Sequence, residues 1–100
     1  MLVSDILRSC THQHVAAAAV ASIGGDFAAA VQRRADGEGL SVGTFTAGRV
    51  RLFSGRASER DWRIVAARMQ GQDLALLSGL EVLMTRMMAD EVRVLSDHEA

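Results

Sequence analysis

Apolar residues recur along much of this chain at three- and four-residue intervals, the spacing that sets side chains on one face of a helix. Phe27, Val31 and Ala35 form one such row, with Asp26 as the candidate cap and an end near Asp36. A second row, Val42, Phe45, Val50 and Phe53, follows Ser41, whose hydroxyl suits an N-cap, and closes at Gly55. Ser58-Glu59-Arg60-Asp61 reads as a capping box with Asp in the usual Glu position, ahead of Trp62, Ile64, Val65 and Met69. Asp73 is the expected cap of the last and longest helix. Its Leu76, Leu77, Leu80, Leu83, Met84, Met87 and Met88 make a broad apolar stripe, the natural core face.

The amino-terminal part reads two ways. Ser4 to Ala21 has the alanine content of a helix, but a short apolar run ending at the Gly24-Gly25 pair also fits a strand. Propensity favours the helix. Proline is absent, so glycines and capping residues mark the breaks. The fold class expected is mainly α: one small helical domain over residues 1–100, with a carboxy-terminal helix pair over 58–95.

With 100 residues, 49% of them hydrophobic, the chain can bury a thin core, and a homodimer would help to stabilise it. The net charge of −1 conceals an uneven distribution. Val31 to Arg60 carries six arginines against three acidic residues, whereas Asp61 to Ala100 carries four against seven. All eleven cations are Arg; this suits bidentate phosphate contacts and equally suits the codon usage of a GC-rich, bacterial genome. Four aromatic residues leave few platforms for stacking single-stranded nucleic acid.

Residues 15–54 resemble the ribbon-helix-helix family of dimeric DNA-binding proteins. Ile23 stands where the strand of that family ends, Phe27, Val31 and Ala35 line its first helix, Gly39-Leu40-Ser41 matches its turn, and Val42 to Phe53 its second helix. The turn glycine tolerates the left-handed conformation that closes a helix, and Ser41 satisfies amides that open the next. The resemblance implies a small dimeric transcription regulator on duplex DNA, with Ser41 at a phosphate. Outward strand positions held by Ala16, Ala18, Val20 and Ser22 offer little to base edges, so contacts would fall on phosphates through Arg33, Arg34, Arg49, Arg51 and Arg56. A related resemblance is to the helix-turn-helix motif, through Ala35, Gly39 and Phe45, with Thr44, Thr46, Arg49 and Arg51 on the recognition helix; Glu38 before the turn glycine departs from it.

A second function is compatible with the same sequence: a non-enzymatic helical adaptor or oligomerisation protein. Its interface would be Leu76, Leu80, Leu83, Met84 and Met87 on the last helix, facing a second copy or another protein. The middle arginines would then be a solvated face paired with Asp36, Glu38, Glu59 and Asp61.

Other chemistry has less to stand on. Cys10-x-His12-x-His14 offers metal-ligand types: on a helix Cys10 and His14 share a face while His12 points away, and on a strand all three line one side, but neither gives four ligands, so neither metal nor other cofactor is expected. No nucleophile elbow surrounds Ser9 or Ser22, and Gly37-Glu38-Gly39 lacks the Lys and Ser/Thr of a phosphate loop, so no catalytic residue is nominated and no enzyme is expected. The longest apolar run, Val15 to Ala21, falls short of the roughly 18 to 20 residues that span a bilayer. Ala19-Val20-Ala21 has the small residues of a cleavage site, but Asp5 and Arg8 cancel upstream and an alanine run is a poor apolar region for a signal peptide, and the lone Cys10 forms no intrachain disulfide; a cytoplasmic protein is expected.

Overall fold

The computed structural model describes residues 7–71 and 74–99. A 3-10 turn, Ser9–Thr11, leads into five helices: α1 Gln13–Ile23, α2 Gly25–Gly37, α3 Val42–Arg56, α4 Glu59–Met69 and α5 Ala75–Glu99. The result is a small all-helical domain, with no strand among the described residues.

Val15 to Ile23 is therefore helix, and this overturns the ribbon-helix-helix resemblance, whose fold requires a paired strand at that place. The reason is local and tertiary at once. Ala16 to Ala19 carry the highest helix propensity, and Ala16, Ala19 and Val20 are buried at the spacing of a helix face rather than in alternation. The helix begins at Gln13 because His12 is extended; part of the expected start at Ser4 lies outside the described residues.

Between α1 and α2 the chain turns within two residues. Gly24 adopts φ 65° and ψ −159°, a region that a residue with a Cβ essentially does not enter, and Gly25 also has positive φ. Gly24 takes the N-cap place expected of Asp26, which lies instead in the first turn, where its charge complements the helix dipole. At the other end of α2, the Leu40 amide donates to the Ala35 carbonyl and the Gly39 amide to the Asp36 carbonyl, a Schellman closure with Gly39 at φ 69°. Ser41 then caps α3 by accepting from the Thr44 amide.

The central element is α3. Gly43, Phe45, Thr46, Ala47, Val50 and Phe53 are buried, so it is enclosed on more than one side. It packs most extensively on α1, and Gly43 permits this: a Cβ there would overlap the Gln13 carbonyl and lie 3.2 Å from the Ala17 methyl. Gly55 does not close α3, which runs on to Arg56 and stops at extended Ala57.

Ser58 and Asp61 form the expected capping box of α4. Phe53 and Trp62 meet edge to face, ring centroids 5.0 Å apart, and lock the α3–α4 corner. From there α4 and α5 run as an antiparallel hairpin. Arg86 donates to Asp61 at 3.2 Å near one end, while Met69 lies over Gly79 near the other. Asp73, the expected cap of α5, lies outside the described residues.

Candidate functional site

The six residues expected at phosphates do not share one surface. Arg33 is exposed and Arg34 half-buried on α2, beside a hollow of about 330 Å³ shared with Thr85, Met88 and Ala89 of α5. Arg49 and Arg51 lie on α3 two residues apart, roughly 200° around a helix, and they point to different neighbours. Arg49 pairs with Glu38 at 2.6 Å and sets its guanidinium 4.5 Å from the Phe45 ring centroid. Arg51 donates to the Thr11 carbonyl at 2.8 Å and so ties α3 to the amino-terminal turn. Arg56 is exposed at the end of α3.

Ser41 is engaged as well. Beyond its capping role, its hydroxyl donates to the Thr44 hydroxyl, which donates to the Gln13 side-chain oxygen at 2.9 Å. This short chain joins the starts of α1 and α3. Thr46, placed on a recognition helix by the helix-turn-helix resemblance, is fully buried. The two helices and their turn are present, but α3 is a core helix rather than a projecting one.

The interface residues nominated on α5 divide in two. Leu80, Leu83 and Met84 are fully buried within the single chain, where they fill its own core. Leu76 and Met87 are half-buried at its margin. Leu76 and Leu77 border a shallow trough of about 430 Å³ against Val15 and Ala18 of α1.

A larger concavity than either of these two lies on a different face of α5. Ile64, Ala67 and Arg68 of α4 and Ser78, Glu81, Val82, Thr85 and Arg86 of α5 line a groove of about 810 Å³. Ile64 and Val82 are half-buried in it, while Arg68 and Glu81 stand exposed on opposite walls. The groove is hard to read from the sequence because the dense apolar stripe of α5 outweighs the mixed row that lines it. The available signal was Ser78, Val82 and Thr85, a thinner row beginning four residues after Leu74, itself 67% exposed.

Of the metal-ligand types near the amino terminus, Cys10 is buried while His12 and His14 are exposed. Burial pushes the Cys10 thiol up from its ordinary range, against a smaller opposing pull from the Ser9 side chain, which makes it a poor nucleophile. Among the described residues no group of three or more His, Cys, Asp or Glu side chains is placed to hold a metal ion. No described helix is long and apolar enough to cross a membrane. Compared with known proteins, the chain matches no family model, no curated protein and no solved structure.

Proposed function

We propose that this protein is a non-enzymatic helical interaction module whose docking element is the α4–α5 hairpin. The observation that carries this reading is the open groove between the two helices, with half-buried Ile64 and Val82 on its floor and charged residues on its rims. An apolar strip edged by charge is the surface into which a partner helix lays its apolar face. The rest of the molecule suits a support. Glycine-enabled close packing of α1 on α3, two capped helix starts and the Phe53–Trp62 corner hold the hairpin at a fixed place.

Duplex binding through the arginines has less support, because Arg49 and Arg51 are already engaged with Glu38, Phe45 and Thr11. The test must respect a chain without lysine, on which amine-directed cross-linkers act poorly. A photo-reactive residue introduced at exposed Thr85 in the full-length chain is expected to cross-link to protein in the cells that make it, and one at exposed Gln32 on α2 is not. Equal yields at the two sites, or none at Thr85, would remove the hairpin from consideration as a docking element.

A further inference from the structure

We infer that the occupant of the α4–α5 groove is the same groove of a second copy, joined about a two-fold axis that runs along it; this rests on the reading of the hairpin as a docking element. Two contacts fix the register of the hairpin. Asp61 meets Arg86, and Met69 lies over Gly79, so positions on the two helices whose numbers sum to about 147 or 148 stand level. By that register Arg68 is level with Gly79 or Leu80. Glu81 therefore stands one or two residues further along, about 2 Å at the helical rise per residue.

Arg68 and Glu81 are thus at nearly one height on opposite walls of the groove. Among the described residues neither makes an ion pair within its own chain. A two-fold axis along the groove carries α4 of each copy over α5 of the other without changing height. Arg68 then faces Glu81 of the second copy, and the reciprocal pair forms by symmetry, as a self-complementary interface requires. Ile64 and Val82 meet their counterparts across the axis within about one helical turn of the two pairs, and Ala67 and Ser78 are small enough to let the helices approach. A partner carrying only one sign of charge would satisfy one wall and be repelled by the other. The groove's own sequence satisfies both.

Charge reversal tests this directly, since both side chains are exposed and bear no part of the core. Native mass spectrometry and sedimentation equilibrium on the full-length chain are expected to find a dimer that weakens as salt rises. Arg68→Glu or Glu81→Arg alone replaces two attractive pairs by two repulsive ones and is expected to weaken dimerisation by about tenfold or more. Mixing the two single variants restores both pairs. The mixture is therefore expected to form the heterodimer in preference to either homodimer, and the double reversal in one chain is expected to regain self-association. Circular dichroism on each variant confirms that the fold is retained.

A chain that stays monomeric at millimolar concentration overturns the inference, as does a dimer indifferent to the reversals or a mixture without heterodimer preference. Those results leave the docking reading to the Thr85 cross-link, which would then join a different protein. Loss of that cross-link altogether would remove the docking reading itself.

Discussion

Gly43 on α3 faces the backbone carbonyl of Gln13 on α1 with no room between them for a methyl group. The obstacle is backbone, so it cannot rotate aside as the end of a side chain can. Gly43→Ala gains the helix propensity of alanine, about 1 kcal/mol, but forces α1 and α3 apart at their tightest point. A net loss of about 2 kcal/mol is expected, a fall in melting temperature of roughly 8 to 16 °C for a domain of this size. Gly48, on the same helix with open space where its Cβ would go, is the control: Gly48→Ala should raise the melting temperature. If both variants melt alike, the close approach of α1 and α3 is wrong.

Thr46 offers a gain by the opposite route. It is fully buried, and its hydroxyl has no hydrogen-bond partner among the described residues. A buried polar group left unpaired costs about 1 to 3 kcal/mol, and valine fills the same space without the hydroxyl. Thr46→Val should therefore stabilise the domain by about 1 kcal/mol in urea denaturation. A destabilised Thr46→Val would mean that the hydroxyl does have a partner, such as an ordered water.

Arg49 joins two contacts that a phosphate-binding role would not need. Its ion pair with Glu38 holds the α2–α3 turn against α3, and its guanidinium covers Phe45, the largest fully buried side chain. Arg49→Glu sets two carboxylates together and uncovers the ring. The expected loss is about 1 to 2 kcal/mol from the pair and the cation–π contact combined. Glu38→Arg in the same chain should recover part of it, which a duplex-binding role for Arg49 would not produce. No recovery in the double variant would count against the pair.

The elements that could be read from the sequence are those governed by local chemistry. Ser41, the Ser58–Asp61 box and the left-handed Gly39 each follow from a side chain or backbone acting on amides a few residues away. Val15 to Ile23 was ambiguous because a short apolar run of alanines lacks a period that separates helix from strand. The central position of α3 was hidden for a related reason. Gly43, Thr46 and Ala47 carry little hydrophobic signal, and they are buried because α1 comes close, a fact of tertiary packing. The α4–α5 groove depends on the register fixed by Asp61 with Arg86 and Met69 with Gly79, pairs separated by ten residues or more in sequence. Arg68 and Glu81 acquire their relationship only through that register.

Asp61 makes the hairpin sensitive to acid. Its carboxylate accepts from the Ser58 amide at 2.9 Å and from Arg86 at 3.2 Å, so one group both caps α4 and binds it to α5. The Ser58 amide is the main cause that holds its pKa below the usual carboxylate value, with Ser58 hydroxyl and Arg86 adding to it against a partial opposing effect of desolvation. A carboxyl whose pKa is lower folded than unfolded contributes stability that is fully present above the unfolded value, about 3.9 for aspartate. That contribution is lost as pH falls through the folded value, below which both states are protonated. Urea midpoints measured from pH 7 to pH 2.5 should therefore fall more steeply below about pH 4 in the natural chain than in Asp61→Asn, and the gap between the two should narrow toward the acid end. The asparagine side chain keeps the shape and loses the charge, so a gap that stays constant with pH would assign the role of Asp61 to packing instead of to its ionised form.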